Sequence, residues 1–204
     1  LVSDILWNYY LAVKFGSPDN VNNRAELSYN PALHQTTLKP LEVNVTIKVG
    51  DKMPEGVFKI MREDGPGAMS SNEIFSGKKV VLFSVPGAFT PTCSKEHLPG
   101  YIEKADELKS KGVDTIACMA VNDVFVMGAW GDQSGAGDKV LLLADGNAEY
   151  ANALGLELDA SGHGMGTRGQ RFALVVDDGV LTQLHVEAGG EFKVSAADYI
   201  LENL

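Results

Sequence analysis

From residue 43 onward the apolar positions fall into short runs separated by Gly, Pro and Asp. Val43, Val45, Ile47 and Val49 alternate with polar residues, which predicts a half-buried strand over Val43–Val49, ended by the Gly50-Asp51-Lys52-Met53-Pro54 turn. Gly56–Arg62 reads as a second short strand and Ser71–Ser76 as a brief helical turn. Lys79–Val85 is a nearly continuous apolar run, the signature of a central strand buried on both faces. Residues 86–93 read as a loop with two prolines. Ser94 to about Lys111 then places Leu98, Ile102, Ala105 and Leu108 on one helical face, and Gly112 ends that helix. Asp114–Val121 is a second buried strand. Asp123–Gly131 is a helix capped by Asn122 or Asp123, Val140–Leu143 a strand, and Asn147–Leu154 a helix ended by Gly155. Arg171–Asp177 and Val180–Glu187 form a hairpin about Asp177-Asp178-Gly179, and Ser195 caps a closing helix to Leu204.

This order of elements predicts an α/β protein with a central mixed β-sheet flanked by helices. A parallel core with a terminal antiparallel hairpin is the thioredoxin-like arrangement. Residues 1–42 have a different character, with five asparagines, one Arg, two Lys and an apolar aromatic stretch from Ile5 to Phe15. That stretch is too short to span a bilayer and lacks the basic start of a secretory signal, and the segment makes a poor transit peptide. We therefore expect an N-terminal extension over 1–42, peripheral to the chemistry, and a folded domain over 43–204.

Composition narrows the function classes. The 204 residues include 45% hydrophobic and 22% charged positions, ordinary for a globular protein. The formal net charge is −10, which argues against nucleic acid and against anionic membrane surfaces as partners. Two cysteines, Cys93 and Cys118, cannot build a disulfide framework, and the four scattered histidines give no metal-ligand spacing. No metal site is expected. Low cysteine usage fits a reducing compartment, the cytoplasm first and an organelle such as a mitochondrion or plastid as the alternative.

The informative junction is at residues 86–94, where a buried strand ends, a proline-bearing loop follows and Cys93 opens a helix. The first backbone N–H groups of a helix lack partners and the dipole is positive there, so both favour a thiolate over a thiol. Pro86 and Pro91 stiffen the loop. Thr90, three residues before Cys93, can offer its hydroxyl to a substrate oxygen. A lone cysteine is more often a small buried hydrophobe, so the junction needs further support. Thr90 stands where a CxxC pair would have its first cysteine, which excludes dithiol exchange within the motif.

Pro86-x-x-x-Thr90-x-x-Cys93, within Val85-Pro86-Gly87-Ala88-Phe89-Thr90-Pro91-Thr92-Cys93-Ser94-Lys95-Glu96-His97-Leu98-Pro99-Gly100, resembles the active-site signature of the peroxiredoxin 5 subfamily, the type II peroxiredoxins. Further resemblance lies in Gly50-Asp51-x-x-Pro54, Cys118–Asp123, Trp130-Gly131, Leu142–Asp145 and Arg171–Asp177, and it covers about 43–204. It implies a peroxidase for hydrogen peroxide and organic hydroperoxides with no cofactor. It implies Cys93 as the peroxidatic thiol, Thr90, Arg171 and the backbone N–H groups of Thr92 and Cys93 as donors to the peroxide, and Pro86 as the residue shielding the thiolate. We choose Arg171 over nearby Arg168 because it immediately precedes the buried run Phe172–Val176. The resemblance also implies a homodimer, and glutathione, glutaredoxin or thioredoxin as reductant.

Cys118 sits in an apolar strand and reads as an inert core thiol, while some type II members carry a proposed resolving cysteine at this place. Bridging it to Cys93 would need Cα atoms within about 7 Å and local unwinding. Residues 189–195, where other members carry a third cysteine, have none. His97, four residues after Cys93, reads as a surface or packing imidazole, with a Cys93–His97 hydrolase as one rival. A non-enzymatic redox relay or holdase is the other.

Overall fold

The strand carrying the apolar run Val80–Phe83 must lie in the interior of the sheet, because neither face of that run can be left to water. In the computed structural model, which describes residues 46–204, it does. The strands are β1 (Val57–Arg62), β2 (Gly65–Ser70), β3 (Lys79–Ser84), β4 (Thr115–Ala120), β5 (Leu141–Ala144), β6 (Glu157–Asp159), β7 (Thr167–Gly169), β8 (Phe172–Asp177) and β9 (Val180–Val186). The helices are α1 (Ser71–Phe75), α2 (Leu98–Glu103), α3 (Ala105–Ser110), α4 (Val124–Ser134), α5 (Glu149–Ala153) and α6 (Ala197–Asn203), with a π-helical turn over Cys93–His97. The main sheet runs β2-β1-β5-β4-β3-β8-β9, and β6 pairs with β7 apart from it. β5, β4 and β3 are parallel, whereas β1 and β8 join them antiparallel. The expected mixed thioredoxin-like sheet is therefore present.

Side-chain alternation builds a core on each face of the sheet. Val81, Phe83, Ile116, Cys118, Ala173 and Val175 face one way, with Leu98, Leu108 and Trp130. Val80, Leu82, Ala117, Met119, Leu174 and Val176 face the other, with Phe58, Ile74 and Tyr150. Parallel strands covered on both sides read as unbroken apolar runs, which is why β3 and β4 were plain in the sequence. Among the described residues no helix is long and apolar enough to cross a membrane.

Several expectations need correction. Of the strand expected over Val43–Val49, residues 43–45 lie outside the described residues, and 46–49 form no strand. There the Ile47 N–H donates to Leu154 O at 3.0 Å, so its alternation reflects one buried side chain in a connecting segment. β2, with sequence GPGAMS, was missed, because Gly and Pro are poor strand formers and only pairing with β1 holds it extended. The three-residue β6 and β7 were likewise too short to show a period. Ser195 does not cap the last helix. Ala196 occupies that position, and the Ser195 hydroxyl goes to Glu187. Asp123, rather than Asn122, caps α4, through Oδ1 to the N–H groups of Phe125 and Val126.

The loop entering β1 is held by an aromatic contact that leaves no room at Gly56. A Cβ there would lie 2.5 Å from Tyr150 Cδ2. That ring cannot move aside, since it packs on Phe58 at 4.5 Å between centroids and its hydroxyl donates to Pro54 O. Gly56→Ala is expected to lower unfolding free energy by about 1–3 kcal/mol, read from urea denaturation; an unchanged midpoint would contradict this packing.

Candidate active site

The parallel strands β3 and β4 end at the same edge, and the loop after β3 is pinned there. Val85 N–H donates to Met119 O at 3.1 Å and Ala88 N–H to Asn122 Oδ1 at 2.9 Å. Arg168, brought in by β7, donates through Nη1 to Val121 O at 3.1 Å and Pro86 O at 3.4 Å, and through Nε to Met165 O at 2.9 Å. The same Nη1 would lie 3.1 Å from a Cβ at Gly87, so the loop crosses the guanidinium where only glycine fits easily. Phe89 at the loop tip has φ 63 and is 49% exposed.

The helix begins at Thr90. Ser94 N–H bonds Thr90 O at 3.0 Å, so Pro91, Thr92 and Cys93 form the first turn. Of three N–H positions without an intrahelical partner, Pro91 has no hydrogen to offer, and the Thr92 and Cys93 amides remain. The Thr90 hydroxyl donates to Gly87 O at 2.8 Å, leaving its oxygen lone pairs free to accept. Trp130 Nε1 on α4 donates to Ser94 Oγ at 2.9 Å and holds this turn against the body.

The expected continuous helix from Ser94 to Lys111 is broken twice. Cys93–His97 is a π turn, with Leu98 N–H on Cys93 O, and Lys104 leaves helical geometry between α2 and α3. Pro99 supplies the reason for the first break. It has no N–H for the Lys95 carbonyl, and its ring crowds that carbonyl, so the turn widens.

Cys93 and His97 lie on one side of this turn, and Arg171 reaches both. Arg171 Nη2 is 3.6 Å from Cys93 Sγ, and Nη1 is 3.0 Å from His97 Nδ1. The other imidazole nitrogen, Nε2, is 3.0 Å from Ser195 O. A carbonyl only accepts, so Nε2 carries the proton and Nδ1 accepts from the guanidinium. Burial and then the charge of Arg171 push the His97 pKa down to about 3, so the ring is neutral. His97 is fully buried beside Phe83 and Phe192, a packing imidazole in part as expected and not a surface one. Among the described residues Arg171 forms no ion pair with a carboxylate.

Cys93 itself has no exposed surface, whereas Thr90, Thr92 and Pro86 around it are half-buried. Cys118 lies on β4 opposite Phe83, facing the same core as Cys93. Burial and then the nearby Cys93 sulfur push its pKa well up, which keeps it a thiol. The sequence showed Pro86, Thr90, Thr92, Cys93 and Arg171, and the fold places them at one sheet edge. It gave no sign that His97, Ser195, Tyr101 and Phe192 assemble behind Arg171. Only the Cys93–His97 spacing hinted at it. His163, one of the four histidines, is exposed on a short 3-10 turn over Ser161–His163. Among the described residues no group of three His, Cys, Asp or Glu side chains could hold a metal ion.

The Redoxin family model matches residues 48–201. Peroxiredoxin-2B of Arabidopsis thaliana is 54% identical over 78% of this chain and 98% of its own length. Peroxiredoxin-2E-2, chloroplastic, of Oryza sativa subsp. japonica is 51% identical over 79% of this chain and 74% of its own. Among solved structures, reduced Prx3 in complex with H2O2 from Vibrio vulnificus superposes with a TM-score of 0.75 and 51% identity, covering 78% of this chain and 99% of that one.

A neutral buried imidazole gives stability a pH dependence. Between about 3 and 6.5 the unfolded chain binds a proton at His97 that the folded chain refuses. This contribution is complete above pH 6.5 and is lost as pH falls. From about pH 6.5 to about pH 4.5 the wild type is expected to lose about 2–3 kcal/mol more than His97→Asn, by urea midpoints; equal losses would show that His97 is not held neutral.

Proposed function

Because the chain belongs to the type II class of the peroxiredoxin family, we propose that Cys93 is the thiol with which it attacks peroxide. The protein is a thiol-dependent peroxidase, reducing hydroperoxides with electrons from thiols. The observation that supports Cys93 is the Arg171 guanidinium 3.6 Å from its sulfur, at the first turn of a helix.

In this reading the Cys93 thiolate attacks one peroxide oxygen. An S–O bond forms, the O–O bond breaks, and the second oxygen leaves as alkoxide or hydroxide and takes a proton from solvent. Sulfur is oxidised to the sulfenic acid and the peroxide is reduced to alcohol or water. Negative charge passes from sulfur to the leaving oxygen, so donors aimed at both stabilise the transition state more than the ground state. Arg171 and the Thr92 and Cys93 amides are those donors. The Thr90 oxygen accepts the hydrogen of the incoming hydroperoxide, since its own proton is on Gly87 O. Pro86 shields the sulfur. A peroxidase requires such polarisation, which a redox relay does not. His97 faces Arg171 through Nδ1, which leaves it no free nitrogen to act as a hydrolase base toward Cys93.

Recycling proceeds by a thiol from outside, of the glutathione, glutaredoxin or thioredoxin kind. Its thiolate attacks the sulfenic sulfur and releases water, and a second thiol resolves the mixed disulfide. Cys118 supports no internal cycle in the folded form, since burial keeps it protonated. Residues 43–204 are the catalytic domain, consistent with the matched range 48–201, and 1–42 stand outside it. A homodimer is supported by two exposed aromatic side chains, Phe89 and Phe125, which follow Ala88 and Asn122, the partners of one hydrogen bond, by one and three residues. The plastid, one of the organelles given as the alternative compartment, is supported by the relative named chloroplastic; the cytoplasm expected first has no such support.

Rapid mixing with hydrogen peroxide, followed by mass spectrometry of each cysteine, tests the assignment. Cys93→Ser abolishes turnover. Cys118→Ser keeps it with any of the external thiols. Arg171→Ala lowers the rate constant about 100- to 1000-fold. Peroxide consumption by Cys93→Ser at the wild-type rate would refute the reading.

A further inference from the structure

The β8–β9 hairpin opens beside Arg171 and closes at Glu187, whose N–H donates to Arg171 O at 2.9 Å. After Glu187 the chain forms no regular element until α6. This loop is nevertheless closed, because three donors converge on one carboxylate oxygen. Glu187 Oε1 accepts from Lys193 N at 2.6 Å, from Ser195 N at 2.8 Å and from Ser195 Oγ at 2.8 Å. What the loop delivers is the fully buried Ser195, whose carbonyl accepts from His97 Nε2 at 3.0 Å and Tyr101 OH at 2.9 Å. It also delivers Phe192, with its ring 4.9 Å from the His97 ring and 5.8 Å from the guanidinium carbon of Arg171. The loop thus holds Phe192 itself, and through the Ser195 carbonyl the His97 ring, beside the guanidinium.

We propose that Glu187 is a positioning residue for the peroxidase reaction. Its carboxylate folds the 187–195 loop so that the Ser195 carbonyl fixes the His97 tautomer and, through Nδ1, the Arg171 guanidinium against Cys93. The proposal rests on the reading of Cys93 and Arg171 given above. An ionised acceptor suits the task, because bonds to a carboxylate are shorter and about twice as strong as those to a neutral group. Burial alone would raise the Glu187 pKa, but the Ser195 and Lys193 donors and then the Arg171 charge bring it below the ordinary carboxylate value. Without this oxygen two amides and a hydroxyl lose their acceptor, the Ser195 carbonyl is no longer fixed, and His97 can turn away from Arg171.

Two readouts distinguish positioning from plain electrostatics: the single-turnover rate constant with hydrogen peroxide, and the ultraviolet titration of the Cys93 thiolate. Glu187→Ala is expected to slow peroxide reduction about 10- to 100-fold and to move the titration to higher pH, as the guanidinium drifts from the sulfur. Glu187→Gln, which keeps an acceptor oxygen in place, recovers most of the rate. Glu191→Ala, on the same loop but paired only with Lys193 at the surface, behaves as wild type. Should Glu187→Ala not fold, Ser195→Ala removes one of the three bonds and keeps the carbonyl, and is expected to slow the reaction several-fold with the same direction of titration shift. A titration moved to lower pH would mean that Glu187 merely offsets the charge of Arg171, and would overturn the proposal. So would wild-type kinetics in Glu187→Ala or Ser195→Ala, or a Glu191→Ala variant as slow as Glu187→Ala. The parent reading fails separately, if Cys93→Ser still consumes peroxide.

Discussion

A guanidinium set beside a sulfur needs an acceptor that orients it without drawing off its charge. At Arg171 that acceptor is a neutral imidazole. A carboxylate in the place of His97 would satisfy the same N–H, yet it would weaken the field that the cation exerts on Cys93. His97 can play this part only because it is buried, because its Nε2 proton is committed to the Ser195 carbonyl, and because Arg171 itself opposes a second proton. The one ring thus bonds the guanidinium that lies 3.6 Å from the sulfur.

This constraint reaches back into the helix that carries both groups. Cys93 and His97 must present themselves to a single planar fork, and they do so on a widened turn that Pro99 forces on the backbone. The proline lies beyond the chemistry, but it shapes the turn on which the chemistry sits. Arg168 clasps the chain just after β3 and β4, at Pro86 and Val121, so one arginine holds the loop and another faces the Cys93 sulfur. Among the described residues Arg168 bonds carbonyls, while Arg171 bonds an imidazole and a sulfur.

The two-sided sheet explains why the two cysteines differ. Both face the same core, but Cys93 starts a helix behind a thin loop, whereas Cys118 lies in the middle of a strand covered by helices. Burial pushes the Cys118 pKa well up, whereas the Cys93 sulfur has the Arg171 guanidinium 3.6 Å away.

What could be read from the residues alone was whatever depends on neighbours in sequence. The unbroken runs of β3, β4 and β8, the capped start of α4 and the Pro86–Cys93 signature are local patterns, and a strand buried on both faces has no other way to be written. That Arg171 directly precedes a buried strand was also legible, and in the fold its guanidinium lies 3.6 Å from the Cys93 sulfur. The tertiary structure alone decided the rest. GPGAMS became a strand only through its pairing with β1. Ser195, which resembles a helix cap, instead gave its hydroxyl to Glu187 and its carbonyl to His97. His97, expected as a surface or packing imidazole, became the hydrogen-bond partner of Arg171. The His97 contacts to Ser195 and Arg171 join groups 98 and 74 positions apart, the Ser195–Glu187 bond spans 8 positions of an irregular loop, and the β1–β2 ladder is a backbone pairing that no side-chain period encodes, so each exists only once the chain has folded.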